Sequence, residues 1–517
     1  MPAKAGIHVE QSRVTAETWT PAFAGVTGEQ HMASRPHGRD LTQGSIGKTL
    51  LAFALPTLVS SILQSLNGTV NAIWIGRFLG ESALAATSNA NMVMFLLMAF
   101  VFGFGMASTV LVGQAFGRKD VDGARRVIGT AIGSFVFVAA AIGILGWFFS
   151  PALLKLLATP ADAAPLALAY LRVIFIAMPG ILILVLLMMG MRGAGDAMTP
   201  LWAMLVAVVL DSGLNPVFIL GLGPAPRLGI AGSATATVIA NYTALIGLVT
   251  FMYARDLPLR LKGHELRYLI PDRVLLKTII IKGFPMGLQM IVISASALAL
   301  IGLVNREGVD TTAAFGVAMQ LWTYLQMPAM ALGAAVSAMA AQNIGAGRWD
   351  RIGRITWAGV VQALAITGVL VVLLAVADRP ALALFLGGHS PALPIAEHIQ
   401  ILATWSFLLM GTTMVIFGTV RANGAVVGPL IILAIGLWPV RLGFALGAYP
   451  WLKADALWLS FPVSSFANIS MAIAFYLHGG WKKARMGVGH HAPLDEQECV
   501  EEALAEAEPG GRLNPAG

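Results

Sequence analysis

The apolar stretches of this chain are too long for the core helices of a soluble domain. They extend over 20 or more residues, the length that a helix rising about 1.5 Å per residue needs to cross roughly 30 Å of hydrocarbon. The charge content agrees. Only 11% of the 517 residues are charged, against roughly 25% in soluble domains, so most of the surface must face something other than water. Run length, with Gly, Pro and charge breaks, predicts an all-α integral membrane protein of twelve transmembrane helices. They fall near 46–79, 86–113, 124–149, 166–190, 197–221 and 230–254, then 276–304, 311–340, 354–377, 395–419, 429–449 and 456–478.

A net charge of +7 suggests nucleic acid in a soluble protein, but these basic residues sit between apolar runs. They therefore act as topology signals, and no nucleic-acid partner is expected. Odd-numbered connections carry little more than Arg77, Lys155, Arg227, Arg306, Arg379 and Lys453. Even-numbered ones are richer: Arg118, Lys119, Arg125 and Arg126; then Arg255, Arg260, Lys262, Arg267, Arg273, Lys277 and Lys282; then Arg348, Arg351 and Arg354. With Lys482, Lys483 and Arg485 after the last span, the positive-inside rule predicts a multi-pass protein of the bacterial inner membrane with both termini cytoplasmic.

The chain also repeats itself. Pro56 matches Pro285 at an offset of 229, Gln114 matches Gln342 at 228, and Arg192, Gly195 and Pro200 recur as Arg421, Gly424 and Pro429. An even number of spans per repeat gives two lobes related by a pseudo-two-fold along the membrane normal, with substrate at mid-membrane between them. The expected organisation is a disordered extension at 1–45, an N-lobe at 46–254, a cytoplasmic linker at 255–275, a C-lobe at 276–478 and a mostly disordered tail at 479–517. The opening MPAKAGIHVEQSRVTAETWTPAFAGVTG resembles translated repeat DNA, which raises Met32 as an alternative start.

ALPTLVSSILQSLNGTVNAIWIGRFLGESALAA in the first span, GQAFGRKD after the second, MRGAGDAMTP before the fifth and LNPVFILG within it together resemble the multidrug and toxic compound extrusion transporters over about residues 40–485. The likeness is to the DinF-like branch more than the NorM-like one. It implies a V-shaped pair of lobes, alternating access, and export driven by inward Na⁺ or H⁺. Two departures stand out. Asn71 occupies the position where the family is usually acidic, and Asp211 then Asn215 reverses the order of the DinF-like fifth span.

Asp211 lies about eleven residues past Pro200, hence about 16 Å into the bilayer. An ionised carboxylate there costs about 2.5–3.5 kcal/mol on insertion scales and is by default functional; the competing reading is an Asp that only fixes helix packing. Asn215, four residues on, shares its helix face, and Asn71, Gln64 and Asn241 are candidates to complete an ion-coupling cluster or to act as interhelical glue. A lone carboxylate among amides favours a proton, and Na⁺ at Asp211 is the alternative. Arg441, twelve residues past Pro429, sits beside the repeat counterpart of Asp211. It is a counter-ion, an anion reader, or a side chain snorkelling outward. Met286, Met290, Met319, Trp322 and Tyr324 are candidates to line an adaptable cavity, whereas Arg192 and Arg421 read as structural charges at span ends.

GSIGKT at Gly44–Thr49 lacks the glycine spacing and the preceding strand of a phosphate loop. The single Cys499 excludes an internal disulfide and a cysteine metal site. No cofactor and no dedicated metal centre are expected. The function expected is a secondary antiporter, working as a monomer among membrane lipids, that exports small organic amphipaths in exchange for H⁺ or Na⁺. A flippase for lipids or lipid-linked sugars is the nearest rival, and a membrane-embedded enzyme would need clustered His, Asp or Glu that the sequence does not offer.

Overall fold

A computed structural model describes residues 40–156, 159 and 164–486; the expectations for most of the N-terminal extension and of the acidic tail lie outside these residues. The N-lobe is built from α1 (Ile46–Leu79), α2 (Glu81–Gly117), α3 (Val121–Leu156), α4 (Ala164–Gly193), α5 (Met198–Leu220) and α6 (Ile230–Ala254). The C-lobe holds α7 (Arg273–Val304), α8 (Val309–Gly345), α9 (Trp349–Val376), the short α10 (Asp378–Leu386), α11 (Ala392–Ala403), α12 (Ser406–Ala422) and α13 (Val427–Ile435). A π-helical segment, Gly436–Leu442, then leads into α14 (Gly443–Gly447), α15 (Tyr449–Leu452) and α16 (Asp455–His478). Eleven of the described helical stretches are long and apolar enough to cross a membrane, twelve when the bent pair α11–α12 counts as one span.

Two predicted spans are not single straight helices. The one expected at 395–419 bends by 47° between α11 and α12. At the bend, Trp322 Nε1 donates to Gln400 Oε1 and Thr404 Oγ1, both at 2.9 Å, and the Thr404 hydroxyl also turns to Gln400. Side chains that capture one another at a turn compete with the backbone ladder and kink a helix. The one expected at 429–449 passes through the π segment, where Pro439 supplies no N–H and Ser296 Oγ holds the Leu437 carbonyl at 3.0 Å.

The lobes meet through α1 and α2 against α7, α8 and α9, and a cross-lobe hydrogen-bond cluster lies at the end that carries the basic connections. Gln114 Nε2 donates to Ala422 O at 2.7 Å, and Gln342 Nε2 donates to Gly193 O at 3.0 Å. Gln114 and Gln342 are repeat partners, and so are Gly193 and Ala422 (422 − 193 = 229), so one contact is made twice across the pseudo-two-fold. The glycines beside it allow the approach. A Cβ at Gly117 would stand 2.0 Å from Gln342 O, and one at Gly345 would stand 2.0 Å from Gln114 O.

The chain just before α1 takes part in this seam. Leu41, assigned to a disordered extension by sequence, is fully buried. Its N–H donates to Gln342 Oε1 at 3.0 Å and its carbonyl accepts from Asn343 Nδ2 at 3.1 Å. At the other terminus Trp481, expected in a solvated tail, is buried against Tyr476, and Asn423 Nδ2 donates to its carbonyl at 2.9 Å.

Candidate functional site

Asp211 is 1% exposed in the middle of α5. Its Oδ2 accepts from Asn67 Nδ2 at 2.7 Å and Asn71 Nδ2 at 2.9 Å, both on α1. Its Oδ1 accepts from Thr237 Oγ1 of α6 at 3.0 Å and from Asn215 Nδ2 at 3.2 Å. Four donors match the roughly four lone-pair sites of a carboxylate. Hydrogen bonds to a charged group each contribute about 1.5–3 kcal/mol, enough together to offset the several kcal/mol of burying one ion. Asn215 also donates to Asn71 Oδ1 at 2.9 Å, tying α1 to α5 a second time, while its own Oδ1 is buried without a partner. One carboxyl thus links three helices of the N-lobe.

Of the residues expected here, Asp211, Asn215 and Asn71 come together and two do not. Gln64 is exposed. It lies seven residues, about 10 Å, nearer the start of α1 than Asn71, and Asn67 takes the place it was expected to fill. Asn241 instead donates to Thr237 O at 2.8 Å within α6, one turn beyond the residue that does reach the carboxylate. Asn67 was legible in principle, since 67 and 71 lie on one helix face; a lone Thr in a helix carries no such signal.

The C-lobe is different inside. It holds a cavity of about 440 Å³ whose walls come mainly from α7, α8, α12, the π segment and α16, with Phe95 of α2 at its edge. Arg441 lines it and does not snorkel away. Its Nε donates to Ser464 Oγ at 3.0 Å, and its guanidinium lies over the Phe461 ring, 4.5 Å from the centroid. Among the described residues, Arg441 is the only charged one in the cavity wall. Met319 and Trp322 line the cavity as expected, whereas Met286 and Met290 border a separate, smaller void of about 50 Å³ next to α2. Arg421, in the last turn of α12 as expected, borders that void too and is buried over Phe417. Tyr324 is 41% exposed, outside the wall of that cavity, and its hydroxyl accepts from Gln320 Nε2 at 3.3 Å. Two steps along a helix turn a side chain by about 200°, so burying Trp322 sends Tyr324 outward. No group of three or more His, Cys, Asp or Glu able to hold a metal occurs among the described residues.

Two pseudo-symmetric bundles of membrane-spanning helices, one with a buried polar cluster and the other with a substrate-sized cavity, define a membrane transporter rather than an enzyme. The MatE family profile matches residues 56–217 and again 285–446, one match per lobe at the 229-residue offset. The chain belongs to that family, the multidrug and toxic compound extrusion transporters. It is 35% identical over 444 residues to "Probable multidrug resistance protein YoeA" of Bacillus subtilis, an alignment that covers 86% of this chain and 96% of the relative. A protein of Shewanella oneidensis named "FAD transporter" is 27% identical over 315 residues, covering 61% of this chain and 68% of that one. The fold matches a solved structure described as the outward-facing conformation of a multidrug resistance MATE family transporter, with a TM-score of 0.78, 20% identity, and 86% and 97% of the two chains covered.

Proposed function

We propose that this protein is a bacterial inner-membrane antiporter that exports small amphipathic organic compounds by alternating access, with Asp211 as the residue that binds the coupling ion. The observation that carries the reading is the saturated, buried carboxylate of Asp211. A proton arriving there turns one acceptor oxygen into a donor, so at least one of the four hydrogen bonds must break. Three of them lead to α1 or α6, and α1 also packs on α8 of the other lobe. Protonation therefore acts on a helix that contacts both lobes, which gives an ion the differential affinity it needs to shift their equilibrium. The cavity in the C-lobe supplies the organic site. Names such as "multidrug resistance protein" and "FAD transporter" among its relatives support an organic cargo.

The positive-inside pattern makes the sealed, Gln-bonded end cytoplasmic and the opposite end the exit. A single Arg in the cavity favours a small amphipath over a lipid pyrophosphate, for which several cations are wanted. Sodium is the second reading. It rests on Asn215 Oδ1, buried and unpartnered, which together with Asp211, Thr237 and Asn71 offers oxygens to a hard cation. Proteoliposomes loaded with fluorescent amphipaths and given a proton or a sodium gradient separately test the proposal. Efflux driven by the proton gradient is expected; efflux driven by sodium alone moves the coupling to the second reading, and no gradient dependence removes it.

A further inference from the structure

We infer that the C-lobe cavity selects organic anions: aromatic amphipaths bearing a carboxylate, sulfonate or phosphate. This deepens the proposed function and rests on its reading of the cavity as the cargo site. The inference comes from what Arg441 touches and what it does not. A guanidinium carries five N–H donors in a planar fork. Among the described residues only Nε finds a partner, Ser464 Oγ. No carboxylate among the described residues lies within ion-pair distance of it, so no acid there neutralises its charge. The guanidinium carbon lies over the Phe461 ring, and the remaining N–H groups belong to a planar fork that can meet two oxygens of one anion.

The rest of the cavity reads the other half of such a ligand. Trp322, Phe407 and Phe461 offer aromatic surface, and Met319 an adaptable wall. The volume of about 440 Å³ suits a ligand of a few rings. Among the described residues no acidic side chain lines the cavity to welcome a cation. A cationic amphipath entering the site would meet Arg441 at close range, in surroundings too apolar to screen the repulsion. The preference is therefore set both by an attraction and by an opposing charge.

The test is calorimetric binding of three matched probes to the purified full chain: 2-naphthylacetate, its neutral amide, and 2-naphthylethylammonium. The anion is expected to bind at least about tenfold more tightly than either isostere. Arg441→Gln is expected to abolish that margin while leaving the amide within about threefold of wild type, and Arg441→Lys to keep part of it. Should Arg441→Gln not fold, Ser464→Ala frees the guanidinium without removing it and is expected to weaken only the anion, by about threefold. Equal or tighter binding of the ammonium probe, or an unchanged margin in Arg441→Gln, overturns the inference and leaves the transport reading intact. If none of the three binds, the cavity is not the cargo site and both fall. Nanodiscs with and without anionic lipid separate a free anion from a lipid headgroup. An equal margin in both supports a cargo site; a margin lost in anionic lipid assigns the site to the headgroup and overturns the inference.

Discussion

The two lobes share a fold, a repeat and a mutual seam, yet their interiors are opposites. In the N-lobe the charged group is an acid, closed in by four donors on its own lobe. In the C-lobe, near the equivalent depth, it is a base with most of its donors unused, facing a cavity. Duplication preserved what the lobes need in order to meet: Gln114 and Gln342 make one contact twice, as do Gly117 and Gly345. It did not preserve what lies inside them. The difference suggests a division of labour in which one lobe handles the ion, the other handles the cargo, and the conserved seam carries the signal between them.

The largest effect is expected at the seam. A methyl added by Gly117→Ala or Gly345→Ala would press on the partner lobe's backbone and destabilise the sealed state by about 3 kcal/mol, the upper range for overpacking. Distances between spin labels placed across the Gln-bonded end check this. Both variants are expected to open that end, and to similar degrees, because the contact is symmetric. A strong effect from only one of them would break the symmetry assigned to the seam.

The glutamines sharpen the same comparison. Gln342 binds Leu41 N–H as well as Gly193 O, whereas Gln114 binds only Ala422 O. Losing one such bond costs about 1–3 kcal/mol when its partner is left buried. Gln342→Ala is therefore expected to open the Gln-bonded end more than Gln114→Ala in the same label measurement. Equal effects would mean that the Leu41 contact contributes nothing.

Within the N-lobe, Asn67→Ala removes the shortest bond to Asp211, at 2.7 Å. It is expected to slow gradient-driven efflux by about tenfold, the kinetic equivalent of one charge-assisted hydrogen bond. Gln64→Ala, one turn away and exposed, is expected to leave efflux unchanged. A reversed ranking would return Gln64 to the site.

The smallest effect is one of pH, at the rim of the C-lobe. Burial first, and the nearby Glu397 second, push the Asp378 carboxyl up from 3.8 to about 6. Between these values the folded protein holds a proton that the unfolded chain has released, so stability falls as pH rises through that window. Asp378→Asn is expected to leave the melting temperature unchanged near pH 4 and to raise it by about 1 °C above pH 6, since half-exposure screens the effect. A gain confined to acid pH would reverse the sign and contradict the assignment.

Span positions and the repeat were legible because run length, prolines and charge asymmetry are one-dimensional signals with a direct physical cause. Asp211 stood out for the same reason, as an acid at mid-membrane depth. Its neighbours were only partly legible. Asn71 and Asn215 follow from position, but choosing Asn67 over Gln64 needs the height of α1 relative to α5, which packing decides. Thr237 cannot be told apart from the many helical threonines that bond back to their own helix, as Thr235 does to Ala231 O at 2.8 Å. The direction of Arg441 depends on the π turn at Gly436–Leu442, which takes up an extra residue and has no simple pattern in sequence. Tyr324 was misplaced because an aromatic residue was read without the phase of its helix.

The central claim is that ion and cargo bind in different lobes and compete through the seam. If they do, cargo binding in the C-lobe must release protons from Asp211, because linkage is reciprocal. The direct measurement is calorimetry of an organic probe binding to the purified protein in buffers of different ionisation enthalpy, which yields protons released per probe bound. Wild type is expected to release protons when the probe binds. Asp211→Asn is expected to bind the probe and release none. Release that persists in Asp211→Asn, or is absent from wild type, would contradict the account.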